Sequence, residues 1–191
     1  MGPEGCQDGG TRRAAPPPRP WKTASVLSLR AAQPEDAHDV ARVHVRSWQS
    51  GYRGLIPAAY LDGLRPEQRA SRYAFGRSVN EGPHTVVALH DGEICGFATT
   101  GTTPDVTCGE LLALYVDPDC WRLGVGRRLI SDARQKLNGQ GFARAILWVL
   151  VGNQRAERFY RGDGWGRDDV QRTEALWGVE VHQQRYSRGL P

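Results

Sequence analysis

Leu111-Leu112-Ala113-Leu114-Tyr115-Val116-Asp117-Pro118 runs into Trp121-Arg122-Leu123-Gly124-Val125-Gly126-Arg127-Arg128-Leu129-Ile130, and this junction sets the architecture. Leu111 to Val116 is nearly all apolar, the pattern of a strand buried on both faces in mid-sheet. Asp117-Pro118 stops it. After the basic loop, Leu129, Ile130, Ala133 and Leu137 recur at helical spacing until Asn138-Gly139 ends the helix. Gly124 and Gly126 lack a Cβ, so several loop N–H groups can close on one ligand. The helix N-terminus carries about half a positive charge, and Arg122, Arg127 and Arg128 add cations. Such a loop suits a phosphate. It is not a dinucleotide fingerprint: position 129 is Leu, and seven residues separate Val116 from Gly124.

Working outward, Ala143 to Val151 is a second buried strand. It leads to a helix from Asn153, a natural N-cap, to about Arg161, then Gly164-Trp165. A last strand lies around Val179 to Tyr186, with room for another near Trp165 to Arg172. Upstream, Thr85-Val86-Val87-Ala88-Leu89 and Ile94-Cys95-Gly96-Phe97-Ala98-Thr99 flank Asp91-Gly92, a hairpin turn signal. Folded sequence begins at the alternating Val26 to Arg30. Pro34-Glu35-Asp36 opens a helix whose apolar side is Ala37, Val40, Ala41, His44 and Trp48. Gly51 to Pro57 breaks it, and a second helical region covers Pro57 to Leu61 and resumes from Pro66 to about Arg77. The expected fold class is α/β: a mixed sheet with helices on both faces.

The 191 residues are one domain of ordinary composition, 39% hydrophobic and 24% charged. Residues 1–24, rich in Gly, Pro and Arg, are expected to be a disordered tail before a domain spanning 25–191. No run approaches the ~18 apolar residues of a membrane span, and no signal-peptide core opens the chain, so no membrane role and a cytoplasmic home are expected. Cys6, Cys95, Cys108 and Cys120 show no metal-type pairing, so reduced thiols and no metal are expected. Lys22 and Lys136 are the only lysines among 25 Lys and Arg, and the net charge is +4. The arginines are scattered rather than striped with aromatics, so no nucleic-acid partner is expected.

Three blocks together resemble the GNAT superfamily of acyl-CoA-dependent N-acyltransferases: Leu114-Tyr115-Val116-Asp117-Pro118, the Gly124-Val125-Gly126-Arg127 loop, and Asn153…Phe159-Tyr160…Gly164-Trp165. His44-Val45-Arg46-Ser47-Trp48 with Tyr52-Arg53-Gly54-Leu55-Ile56-Pro57 is similar to a common bacterial subset. The likeness covers roughly residues 26 to 188. Trp121 departs from it, standing where the family loop has Gln or Arg; backbone N–H groups grip a pyrophosphate regardless of that side chain.

The resemblance implies a mostly antiparallel mixed sheet with a V-shaped splay between two central parallel strands, and acetyl-CoA as co-substrate without a metal. It implies a small-molecule or peptide amine as acceptor, attacking directly in a ternary complex; a homodimer stays open. The pantetheine arm would pair with Leu114, Tyr115 and Val116. The diphosphate would sit on Arg122, Leu123, Gly124, Val125, Gly126, Arg127 and Arg128. An N–H of the splay would stabilise the oxyanion.

Tyr160 is implied as the group beside the thioester sulfur. With reference pKa values of about 10 for Tyr and about 8.5 for a thiol, full proton transfer is uphill by ~2 kcal/mol, so its role is a hydrogen bond to the departing thiolate. Glu110 matches the position that often supplies the base, or is a solvated carboxylate at a strand end. Asn153 is a cap, a pantetheine contact, or both. Arg46, Trp48, Tyr52 and Arg53 are candidates for the acceptor pocket, with Trp48 equally readable as core. Their arginines suit an acceptor carrying a carboxylate. His44 and His84 are outside candidates for the base, and Cys108 and Cys120 lack an adjacent His to make an acyl-enzyme. The competing reading is a non-catalytic acyl-CoA sensor of the same fold.

Overall fold

The computed structural model describes residues 26–76 and 82–191. The expected tail, 1–24, lies outside the described residues, as does the expected helix end at Arg77.

Among the described residues, seven strands form one sheet in the order β1-β2-β3-β4-β5-β7-β6. In chain order the elements are β1 (Leu27–Ala31), α1 (Ala37–Gly51), α2 (Ala58–Gly63), α3 (Pro66–Ala70), β2 (His84–His90), β3 (Glu93–Thr102), β4 (Cys108–Val116), α4 (Val125–Gly139), β5 (Arg144–Leu150), α5 (Gln154–Gly162), β6 (Gly166–Leu176) and β7 (Val179–Gly189). Every neighbouring pair is antiparallel except β4 and β5. The mixed α/β sheet expected from the sequence is present. The additional strand is β6, longer than the segment near Trp165 to Arg172. The helix expected from Pro66 stops at Ala70 instead. There the Ser71 hydroxyl bonds back to the Gln68 carbonyl, and Tyr73 and Phe75 are drawn into the cluster on β2 and β3, which an unbroken helix would not allow.

The strands alternate, and each face is covered by its own helix. Val40 and Val43 of α1 pack on Val87, Ile94 and Phe97. Leu129, Ile130, Ala133 and Leu137 of α4 cover Ala88, Cys95, Ala98 and Leu147 on the other face. Each of these leucines and isoleucines, fully buried, contributes roughly 1.5–3 kcal/mol before entropy is counted. The close seat of α4 depends on Gly96 beneath it. A Cβ there would stand 3.0 Å from Val125, 3.1 Å from Leu129 and 3.1 Å from the Tyr115 carbonyl oxygen. Any side chain at 96 would lift the helix whose first turn forms the loop described below.

Candidate active site

β4 and β5 pair over only three residues: Cys108 with Arg144, Gly109 with Ala145 and Glu110 with Ile146. Beyond Glu110 they diverge, β4 staying with β3 and β5 with β7. The cause lies in β4 itself. Thr99 faces Ala113 and Thr100 faces Leu111, leaving Leu112 as an extra residue. A β-bulge bends its strand and sharpens the twist, so β4 peels away from β5 where the bulge sits. The edges of Leu114 to Val116 and of β5 that face one another therefore lack a strand partner.

At the open end of this wedge lies the glycine loop. Gly124 takes φ +84°, a left-handed conformation, with open space where a Cβ would be. Among the described residues the amides of 122–127 have no intramolecular acceptor; the first loop-to-helix bond is Arg128 N–H to the Gly124 carbonyl, 3.1 Å. Six N–H groups at one helix N-terminus make a site for an anion. Arg122, Arg127 and Arg128 are exposed around it. Gly126 serves packing: a Cβ would be 3.3 Å from the Phe159 ring of α5.

Trp121 is tied down rather than idle. Its indole N–H donates to the Val116 carbonyl at 2.8 Å, and the Arg155 guanidinium of α5 stacks on its ring at 3.5 Å from the centroid. The loop is also pinned from behind. Asp117, buried, accepts from Arg46 Nε at 2.8 Å and Nη2 at 3.1 Å, and from the Asp119 N–H. Arg46 reaches Asp119 as well, at 2.7 Å. Arg46 stands two residues from Trp48 on one helix, nearly opposite it. Its guanidinium is thus engaged at the loop, and that of Arg53 by Asp62.

Tyr52 and Tyr115 pack in one cluster, and Tyr160 belongs to the cluster on the α4 side. The Tyr115 hydroxyl neighbours that of Tyr52 and the Trp48 indole N–H, and Tyr160 lies within electrostatic reach of both Tyr115 and Tyr52. Burial pushes all three hydroxyls above the ordinary phenol value, so all three stay neutral. Tyr160 is held by Phe159 and Trp165, with ring centroids at 5.2 and 6.3 Å. Asn153 caps α5, its Oδ1 accepting from Ala156 N–H at 3.1 Å. Glu110, paired across from Gly101 and Ile146, projects to the same face of the sheet as Tyr115. Burial raises its pKa; Arg172 opposes the shift and Glu174 adds to it.

Among the candidate histidines and thiols, His44 lies beside the tyrosines, its ring stacked on Tyr115 with centroids 4.2 Å apart. His44 is buried with its Nδ1 on the Tyr73 hydroxyl, and burial, then Arg69, depress its pKa well below normal. Burial, then Lys136 of α4, lower the pKa of His84 at the start of β2, with Asp132 opposing. Burial raises the pKa of Cys108 and Cys120, the wrong direction for a thiolate nucleophile.

Beside the expected Trp48 stands a residue, Trp177, that periodicity and motif did not single out. Trp48 is core and wall at once: it is 1% exposed and stacks on Trp177 at 4.0 Å between ring centroids. Trp177 sits in the β6–β7 turn with φ +57°, rare for a bulky residue. Its carbonyl accepts from the Tyr60 hydroxyl at 2.8 Å, and the Arg69 guanidinium of α3 lies over its ring. That Trp177 reaches α1, α2 and α3 left no local signal in the sequence.

Comparison with known proteins adds the following. Residues 43–165 match the family model described as "Acetyltransferase (GNAT) family". The chain is 32% identical over 132 residues, 67% of its own length and 74% of the relative's, to "Uncharacterized N-acetyltransferase YuaI" of Bacillus subtilis. It is 31% identical over 139 residues, 70% of its length and 89% of the relative's, to an "Uncharacterized N-acetyltransferase" of Archaeoglobus fulgidus. The fold is similar to the crystal structure of PaiA N-acetyltransferase from Thermoplasma acidophilum in complex with coenzyme A. That match has a TM-score of 0.65 and 20% identity, covering 86% of this chain and 99% of the other.

Proposed function

Since the chain belongs to the acetyltransferase (GNAT) family, we propose that it moves an acetyl group from acetyl-CoA to a primary amine of a small molecule or peptide by direct attack in a ternary complex. The carrying observation is the placement of six unbonded amides at the mouth of a wedge whose β4 edge has no strand partner beyond Glu110. These are the two donor sets that a diphosphate followed by an amide-bearing arm requires. The residues present fit that ligand without a metal.

Acetyl-CoA supplies the activated thioester. The loop amides of 122–127 hold the diphosphate, and Arg155, stacked on Trp121 without a carboxylate of its own among the described residues, adds a cation beside it. The edge at Leu114 to Val116, its Val116 carbonyl taken by the Trp121 indole and the Ser47 hydroxyl, aligns the arm through its remaining backbone groups and presents an N–H to the acyl oxygen as charge develops there. Glu110, with its raised pKa, accepts the amine proton through water. The amine nitrogen forms the new C–N bond as C–S breaks, and the Tyr160 hydroxyl donates a hydrogen bond to the departing sulfur. Asn153 fixes the helix that carries Tyr160.

Calorimetric titration with acetyl-CoA, paired with thiol release across amino acids, peptides, polyamines and aminoglycosides, tests this reading. Micromolar binding and turnover of at least one amine are expected. Tight binding without turnover of any amine would favour a non-catalytic sensor, and absence of binding by folded protein would end both.

A further inference from the structure

The acceptor side of the wedge contains a charge with no counter-charge. Arg69 is half-buried on α3, its guanidinium laid over Trp177 and facing the hydroxyl-bearing rings of Tyr60, Tyr73 and Tyr115. Among the described residues no carboxylate comes within 4.0 Å of it. Arg72, three residues on and within its electrostatic reach, is exposed and free of carboxylates among the described residues, whereas four other arginines are occupied. Arg46 is bound by Asp117 and Asp119, Arg53 by Asp62, and Arg172 by Glu174, while Arg65 donates to two backbone carbonyls. A partly desolvated guanidinium is costly without a partner, and it is made to bind a planar anion with two parallel hydrogen bonds. Burial accordingly lowers its pKa to about 10, so it remains charged at neutral pH.

The position matters as much as the charge. Trp177, beneath the guanidinium, packs on His44 with ring centroids 4.1 Å apart, and His44 stacks on Tyr115 at 4.2 Å, so Arg69 lies on the aromatic layer that reaches Tyr115 of β4. Trp177, held in a strained left-handed conformation, provides the platform on which the guanidinium lies. Resting on the acetyl-transfer reading above, we propose that Arg69 is the acceptor-recognition residue, receiving a carboxylate carried by the amine substrate while the aromatic walls hold its body. The acceptor class is then an amino acid or short peptide with a free carboxylate, not a polyamine. The carboxylate-binding role expected of Arg46 and Arg53 passes to a residue outside both motifs.

The test uses the full chain, saturating acetyl-CoA and matched probes: phenylalanine, leucine and alanyl-phenylalanine, each as the free acid and as the C-terminal amide, together with spermidine. The amide has the less basic amine, so a preference for the acid cannot arise from amine ionisation. The free acids are expected to exceed their amides in kcat/KM by about tenfold or more, the range of a charge-assisted bidentate contact. Arg69→Met is expected to bring that acid-to-amide ratio to about one, mainly through KM, and Arg69→Lys to leave it intermediate, since an ammonium keeps the charge without the fork. The ratio is internal to each variant, so partial misfolding does not mimic the result. Equal or better turnover of amides or spermidine overturns the proposal and leaves acetyl transfer standing, as does an unchanged ratio in Arg69→Met. No turnover of any probe or other amine, by protein that binds acetyl-CoA, refutes the transfer reading and the proposal with it.

Discussion

Replacing Tyr160 with Phe removes one oxygen and little else. Its ring contacts with Phe159 and Trp165 are retained. Among the described residues no hydrogen bond is made by the Tyr160 hydroxyl. The variant should therefore unfold within about 2 °C of the parent, the shift expected from a change of about half a kcal/mol in a domain of this size. The hydroxyl acts only when the sulfur becomes anionic, and a hydrogen bond to a charged group contributes roughly 1.5–3 kcal/mol. Its loss should lower kcat about 10- to 150-fold. Burial, with Tyr115 adding to it, raises the Tyr160 pKa, so the hydroxyl stays protonated across the whole working range. The loss should thus be the same at every pH from about 6 to 9, with parallel pH profiles rather than a vanished limb. Thiol release under saturating substrates, with pre-steady-state traces confirming that chemistry limits the rate, measures it. Equal kcat in parent and variant would refute the assignment, and a limb lost from the profile would refute the hydrogen-bond description in favour of proton transfer.

Glu110 should behave in the opposite way: Glu110→Gln is expected to abolish the rising limb of kcat/KM, which in the parent lies above the usual carboxylate range because burial raises that pKa. For stability the sign follows from the same shift. A carboxyl whose folded-state pKa is raised favours folding while protonated, and that contribution is lost as pH rises through the raised value. Glu110→Gln should therefore melt higher than the parent at pH 8 and alike at pH 4; a lower melting temperature at pH 8 contradicts it. Gly124→Ala forces a Cβ into φ +84°, costing about 1–2 kcal/mol, or about 2–8 °C, and should weaken acetyl-CoA binding by calorimetry; unchanged affinity would show that the turn does not shape the diphosphate cradle. Arg46→Ala leaves buried Asp117 with Arg42 at 3.8 Å as its remaining ion pair. Because Arg46 is itself partly exposed, a loss of about 1–2 kcal/mol is expected in denaturant unfolding, with the order of preference among amine acceptors unaltered; a reordered preference would return Arg46 to the acceptor pocket.

The sequence by itself determined what depends on neighbours a few residues apart. The apolar run from Leu111, the helical spacing through Leu137, the Asn153 cap and the Asp91-Gly92 turn each encode a local conformation, and each element forms within a few residues of where its pattern places it. The glycine loop was legible for the same reason, since a helix N-terminus and its free amides follow from one short stretch. The bulge at Leu112 left no such mark: an extra residue is defined only against β3, and it is this pairing that opens the wedge. The acceptor side was still less visible. Tyr60 and Trp177 are 117 residues apart and meet through one hydrogen bond. Whether an arginine is neutralised, as Arg46 is, or left without a carboxylate, as Arg69 is among the described residues, depends on which carboxylates folding brings within about 4 Å. Charge compensation is a property of distance in space, and only the tertiary structure decides it.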